Sequence, residues 1–397
     1  MKCIIKILNV CSLSIVLYCC HSRVSLDEID TIQFSNLKKI ESVTFRDSNY
    51  LDSSFLVKLE TNPESLIGEI AQIEVYDNNI YIYDISIQKV LVFDLQGKFK
   101  GSISKKGRAP EEYASLNGFY INPFDSTINL FDPLMMSVQK YSFDGKYLGK
   151  KKHTNNNLCF VAKATMINKD QLFCYHKSNW NDNFIYSIID IKDYSLSNGI
   201  DSYPYLSSKS ISYTLSNNPY IFKDGKVVYS KLFSNILYCN EGDASIPYFL
   251  INNKDEIDRE YLSKRLKEAD GDYYKVRRDI INENKYNTGF LNIFENDRFL
   301  LTDFAAENGI VKGILWDKKY KNGVYINEYS TYKPDLQLFK SVSDNSVISI
   351  WDRSAISAFK RNTDDTAIYP KYVHEMAENF NDEDDNPILI FHTFKSE

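Results

Sequence analysis

Asp77-Asn78-Asn79-Ile80-Tyr81-Ile82-Tyr83-Asp84 returns, 48 residues later at every position, as Asp125-Ser126-Thr127-Ile128-Asn129-Leu130-Phe131-Asp132. Further on, Val90-Leu91-Val92-Phe93-Asp94-Leu95-Gln96-Gly97 returns at the same offset as Val138-Gln139-Lys140-Tyr141-Ser142-Phe143-Asp144-Gly145. Within each unit Ile80 and Ile82 alternate with Tyr81 and Tyr83, the period-two signature of a strand. Gly97 and Gly145 sit where a hairpin turn needs positive φ. Each unit therefore reads as strand, polar turn, strand, short loop, strand, Gly turn, strand.

Weaker copies of the polar turn before an apolar run follow along the chain. They are Lys169-Asp170-Gln171 before Leu172, Lys223-Asp224-Gly225-Lys226 before Val227, Asn296-Asp297-Arg298 before Phe299, and Asp344-Asn345-Ser346 before Val347. Six marks, at residues 80, 128, 172, 227, 299 and 347, each with about four strands, predict an all-β chain folded as a six-bladed β-propeller. A pair of β-sandwiches or a barrel is the competing reading, and the gapless 48-residue match disfavours it. The widest interval, from 227 to 299, contains residues 254–284, where the strand pattern gives way to charge. There Ile257, Tyr261 and Ala269, then Tyr273, Val276 and Ile280, recur at helical spacings around Asp270-Gly271-Asp272. This predicts a helical hairpin between blades four and five, as a solvated cap or a docking element. At the two ends, Phe55-Leu56-Val57-Lys58-Leu59 and Ile388-Leu389-Ile390-Phe391-His392-Thr393-Phe394 are strands without complete blades of their own. Left alone, each would expose a sheet edge, so one composite blade holding both is expected.

Residues 1–19 carry Lys2 and Lys6, then a largely apolar run from about Ile7 to Tyr18. That run is shorter than the roughly 20 residues a membrane span needs, and its form is that of a secretory signal. Its end, Leu17-Tyr18-Cys19-Cys20, resembles a bacterial lipobox, and Cys20 fits as the lipidated residue better than Cys19, which follows bulky Tyr18. An ordinary cleaved signal leaving a soluble protein is the alternative. The expected organisation is signal 1–19, tether 20–50 and propeller 51–397. Loss of the leader makes the chain two units more negative than its full-length −6, so any membrane attachment runs through lipid rather than charge. With 47 Lys+Arg against 53 Asp+Glu, nucleic acid is not an expected partner. Of seven Cys, only Cys159, Cys174 and Cys239 lie in the body, an odd number that reads as buried thiols rather than a disulfide framework.

Phe93-Asp94-Leu95-Gln96-Gly97-Lys98-Phe99, followed by Gly107-Arg108-Ala109-Pro110-Glu111-Glu112-Tyr113, resembles a family of six-bladed β-propeller lipoproteins of Gram-negative anaerobes. Leu59 to Ile70 resembles that family's first blade, and Asp385-Asn386-Pro387-Ile388-Leu389 its last strand. Gly107, Pro110, Glu112 and Tyr113 match its loop motif, while Ala109 stands where the family usually has Gly. The resemblance implies an NHL-like propeller of largely undefined role, in the cell envelope at the outer membrane. The stretch after Cys20, His21-Ser22-Arg23-Val24-Ser25, lacks the acidic run associated with surface export in such lipoproteins, which implies a periplasm-facing position.

The residues point to no reaction. The five His (His21, His153, His176, His374, His392) have no zinc spacing, and no Cys-x-x-Cys, Gly-x-Ser-x-Gly or phosphate-cradling loop occurs. Asp382-Glu383-Asp384-Asp385 lacks the layout of a calcium loop and reads as a solvated turn. Adjacent Glu111 and Glu112 point to opposite faces of an extended segment, a poor catalytic pair. No cofactor, metal or catalytic residue is expected. The leading reading is a non-enzymatic binding or scaffolding lipoprotein with a protein or glycan partner. A glycan binder, motivated by 29 Tyr and by Trp180, Trp316 and Trp351, comes second, and a hydrolase or lyase with a central metal third.

Overall fold

The computed structural model describes residues 29–176, 184–202, 218–242, 244–252, 254–306, 310–381 and 384–397. Six antiparallel sheets follow one another around a ring. Blade I runs Ile70–Tyr76, Asn79–Asp84, Lys89–Asp94, Phe99–Ile103, and blade II Phe119–Asn122, Thr127–Asp132, Ser137–Ser142, Tyr147–Lys152. Blade III is Val161–Met166, Gln171–His176, Phe184–Asp190, Leu196–Ser202, and blade IV Tyr220–Lys223, Lys226–Ser230, Ile236–Glu241, Ala244–Asn252. Blade V is Phe290–Glu295, Phe299–Ala305, Val311–Asp317, Asn322–Ile326. Each mark found in the sequence lies in the second strand of its blade. The turns take the expected backbone: Asp77 and Asn78 both have positive φ, as do Asp224 and Gly225, and Gly97 and Gly145 lie at +82° and +78°.

Blade VI is composite. Ser341–Ser343, Ser346–Trp351 and Ile388–Phe394 supply its first three strands and Leu51–Lys58 its outermost one. Ile388 pairs with Lys58, Ile390 with Leu56 and His392 with Ser54, and the Phe55 and Phe391 rings stack 4.9 Å apart. Both ends of the chain thus lose their free edges in one ladder.

Residues 30–50, expected as tether, are instead built into the ring. Asp30–Gln33 adds to the outer strand of blade IV and Lys38–Ile40 to that of blade V, both in parallel. These strands are too short and too charged to show a period in sequence, and what holds them is the unpaired backbone of the blades they cover. The helical hairpin lies where the sequence places it, as α1 (Arg259–Glu268) and α2 (Tyr273–Glu283). The Asp258 carboxylate accepts from the Glu260 and Tyr261 amides, and Asp272 accepts from Lys275. Ile257, Leu266, Val276 and Ile280 are buried with Tyr186, Tyr220 and Tyr229, so the hairpin is packed on blades III and IV.

A second helical insertion was not expected. Between Trp351 and Ile388 lie α3 (Arg353–Arg361), α4 (Thr363–Thr366) and α5 (Lys371–Glu378). Ala355, Ile356, Phe359, Val373 and Ala377 bury one face against Trp351 and Tyr369. The signal was present as Asp352, which caps the helix through the Ala355 amide, followed by apolar residues at helical spacing.

The blades are joined near the axis by polar contacts. Ser341 Oγ donates to the Ile73 carbonyl (2.6 Å), Gln72 Nε2 to Phe119 (2.9 Å) and Asn117 Nδ2 to Val161 (3.1 Å). Lys163 Nζ donates to Asn218 Oδ1 (2.5 Å) and the Ile293 amide to the Asn218 carbonyl (2.9 Å). The junction of blades V and VI is apolar, with Phe294, Phe299 and Leu301 against Phe339, Val347 and Phe394. Cys174 and Cys239 are buried, Cys159 is partly exposed, and none of the three forms a disulfide.

His392 lies in the closing strand, its Nδ1 2.8 Å from Ser54 Oγ, and burial pushes its pKa from 6.5 down to about 4. His176, 2.7 Å from Ser187 Oγ, is held at about 4 for the same reason. Stability from keeping these rings neutral is complete above pH 6.5 and is lost as pH falls toward 4, by roughly 3 kcal/mol for each ring. Thermal melts of the wild type and His392→Gln between pH 7 and pH 4 test this, and the variant should lose distinctly less on acidification. Deleting 388–397 should abolish the cooperative transition rather than shift it slightly.

Candidate functional site

Because neighbouring strands run in opposite directions, the two faces of the ring differ. Loops between first and second and between third and fourth strands make a hairpin face. Loops between second and third strands, and the connections from blade to blade, make a crossing face. Both helical insertions belong to the crossing face, as does the connection that carries Gly107 to Tyr113.

That connection is a knot between blades I and II. The Gly107 amide donates to the Tyr113 carbonyl (2.9 Å) and the Tyr113 amide to that of Lys105 (3.0 Å), a parallel bridge. Glu112 turns inward and its Oε2 accepts from the Ala109 amide at 2.8 Å, while Glu111 turns outward to pair with Lys105. A Cβ on Gly107 would stand against the Glu112 carboxylate and displace it from the Ala109 amide. Tyr113 is fully buried, and its hydroxyl donates to the Gln88 carbonyl at 2.5 Å. From blade II, Gln139 Nε2 donates to the Glu112 carbonyl (2.9 Å), Tyr141 to Glu111 (3.2 Å) and Tyr147 to Pro110 (2.8 Å). Ala109 is not among the residues with positive φ, so its methyl brings no backbone strain. The four motif residues are thus brought together as supports. Cys20, like Trp180, lies outside the described residues.

The aspartates that end the repeat have a related task. Asp84, fully buried, accepts from the amides of Gly68 (2.6 Å), Glu69 (3.2 Å) and Ser86 (2.9 Å). Asp132 accepts from Ala114 (2.7 Å), Ser115 (3.3 Å) and Met135 (3.0 Å). Each carboxylate pins an incoming connection to the loop beyond its own strand. Their recurrence in the sequence marks the period and carries no local sign of this anchoring role.

Two buried ionisable groups, Lys163 and Asp303, are linked by a chain of hydrogen bonds through Asn218 and Asn292. Asn292 accepts from the Asn218 amide (3.3 Å) and donates to Asp303 Oδ2 (2.9 Å), whose other oxygen accepts from the Tyr329 hydroxyl. Burial pushes Asp303 up from 3.8 to about 7, opposed by the bonds from Tyr329 and Asn292. Burial also lowers Lys163, with Glu74 opposing it. The groups at the two ends of this chain are tied to each other through Asn218 and Asn292, so the arrangement binds blades III, IV and V together. Among the described residues no three His, Cys, Asp or Glu side chains gather as a metal site would require. Trp316 and Trp351 are both buried, Trp351 with its Nε1 on the Tyr332 carbonyl (2.7 Å). Of the acidic run, the described Asp385 pairs with Lys58 at 2.7 Å.

Fold and connections define a six-bladed β-propeller sealed by its own termini, with its insertions gathered on one face. The chain belongs to the family described as a domain of unknown function (DUF4934), whose model matches residues 29–393. It is similar in structure to a protein of Bacteroides fragilis described as exported, with a TM-score of 0.70 at 18% identity over 92% of this chain and 99% of that one. A DUF4221 member from Bacteroides vulgatus aligns with a TM-score of 0.48 at 11% identity, over 87% and 97% of the two chains. No curated protein matches the sequence. No helix among the described residues is long and apolar enough to cross a membrane.

Asp303 keeps a proton in the fold that the unfolded chain releases near pH 3.8, so its contribution to stability falls as pH rises toward 7 and is gone above it. Denaturant titrations at pH 5 and pH 8 should show this dependence shrinking by a few kcal/mol in Asp303→Asn.

Proposed function

We propose that the chain is a non-enzymatic binding or scaffolding lipoprotein of the cell envelope, anchored by lipid on Cys20 and presenting its crossing face to a protein partner. The observation that carries the reading is the asymmetry of the two faces. The hairpin face is made mostly of tight turns, whereas the crossing face holds both helical insertions and several exposed aliphatic side chains. Leu134 is 73% exposed, and Leu66, Ile85 and Ile87 are also open to solvent, all on connections of that face. Rigid blades supporting variable connections are the usual way a propeller builds a recognition surface.

Aliphatic side chains suit a protein partner, and the two described Trp that motivated glycan binding are in the core. Export is supported by the leader of residues 1–19 and by the structural similarity to a Bacteroides protein described as exported. The lipobox-like Leu17-Tyr18-Cys19-Cys20 and the NHL-like lipoprotein resemblance favour an outer-membrane anchor, and the missing acidic run favours the periplasmic side. The described chain begins at the outer edge of blades IV and V, where Asp30 pairs with Lys321 at 2.6 Å.

Cys20→Ala should abolish fatty-acid labelling and release the protein from membranes. Labelling that persists would reject Cys20 as the anchor. Cross-linking in the native envelope should give an adduct that the pair Ile87→Glu and Leu134→Glu removes and the hairpin-face change Phe124→Glu leaves intact. An adduct indifferent to the crossing-face pair would reject that surface.

A further inference from the structure

On the hairpin face, between blades II and III, lies a cavity of about 300 Å³. Its floor is built from the first two strands of blade II. Asn122 and Asn129 are each 4% exposed, and both are oriented by the protein. Asn122 Oδ1 accepts from the Phe124 amide at 3.0 Å, which leaves its Nδ2 to the cavity. Asn129 Nδ2 donates to Thr127 Oγ1 at 3.0 Å, which leaves its Oδ1. Neither remaining atom has a hydrogen-bond partner among the described residues. The lip carries Asp125, bonded by Thr127 and by Lys140, and the far wall carries Ile191 and Tyr194 of blade III. Gly149 lies on the outer wall, where a Cβ would meet nothing within 4 Å.

The electrostatics select the ligand class. Three lysines border the cavity, yet none offers it an unpaired ammonium. Lys140 is paired with Asp125, and Lys151 donates to the Ile191 carbonyl at 2.9 Å and to that of Lys192. Lys150 pairs in register with Gln139, whose side chain reaches the Glu112 carbonyl in the knot. Strand alternation therefore sends the Lys150 side chain away from the cavity. An anion would have to break existing pairs. Hydroxyls both donate and accept, and so suit the free donor of Asn122 and the free acceptor of Asn129 alike. Val138 and Ile191 supply an apolar wall for a ring's C–H face. From this we infer a binding site for an uncharged polyhydroxylated ligand of monosaccharide size, such as one sugar unit of a glycan, on the face opposite the proposed protein-docking surface. The volume lies at the low end of small-molecule sites, which fits one unit rather than an oligosaccharide.

Saturation-transfer NMR and calorimetric titration of the full mature chain with D-glucose, D-galactose, D-mannose and N-acetylglucosamine test this, with glucuronate and inorganic phosphate as anionic probes. At least one neutral sugar should bind with a dissociation constant on the order of 1 mM. Asn122→Ala and Asn129→Ala, which remove the free donor and the free acceptor, should each weaken it about tenfold, and Lys150→Ala should leave it unchanged. Three results would overturn the site: no neutral sugar bound at about ten times that concentration, phosphate or glucuronate bound in preference, or a sugar bound equally by the two asparagine variants. Unaltered circular dichroism and melting of the asparagine variants will separate lost binding from lost fold.

Discussion

The ladder between Ile388–Phe394 and Leu51–Lys58 is the contact on which the rest of the ring depends. A propeller blade buries two faces, one against each neighbour, so an open ring would leave two apolar faces and two strand edges in water. The closing strand takes part in both junctions of blade VI. Leu389 and Phe391 pack with Ile80 and Ile82 of blade I, while Phe394 packs with Phe294 and Phe299 of blade V. The residues just beyond it are fixed as well: the Lys395 carbonyl accepts from Asn296 Nδ2 at 2.9 Å, and the Glu397 carbonyl accepts from Arg298. Closure by one central strand, with Leu51–Lys58 outermost, makes the whole ring cooperative.

That closure also explains why the two faces diverge. Turns of the hairpin face sit inside four-stranded meanders, where two residues such as Asp77 and Asn78 complete a blade and extra length would serve no strand. Connections on the crossing face span from an outer strand to the next inner one, or between the middle strands, and can lengthen without disturbing a ladder. Long loops are tolerated cheaply because closure entropy grows slowly with length. They still need anchors, which Asp84, Asp132 and the Gly107–Tyr113 knot supply by accepting or donating at backbone groups that would otherwise be buried unpaired.

What could be read in the sequence was periodic, and what could not was relational. Ile80 to Asp84 and Ile128 to Asp132 announce their strands because alternation and turn chemistry are local properties. The composite blade was readable too, since two orphan strands at opposite ends have one economical pairing. The helices at 353–378 were missed because a reading tuned to a period of two passes over Ala355, Ile356 and Phe359, although Asp352 marks their start. Strands Asp30–Gln33 and Lys38–Ile40 were unreadable for a different reason: a blade elsewhere in the chain makes them strands, not their own side chains.

The same distinction governs the candidate sites. Glu112 and Tyr113 attract notice in sequence through the loop motif and the repeated aspartates through their fixed spacing, and each proves to be spent on backbone partners. Spacing along the chain reports which groups the fold needs in every blade, and so it favours supports over ligands. The atoms left free, Asn122 Nδ2 and Asn129 Oδ1, sit within the repeat, yet the blade I residues at the same offset, Glu74 and Tyr81, have different chemistry. A binding group is free to break the repeat, because one junction rather than all six has to carry it. In a propeller the departures from periodicity, weighed by which polar atoms remain unpaired, are therefore better guides to function than the periodic residues themselves.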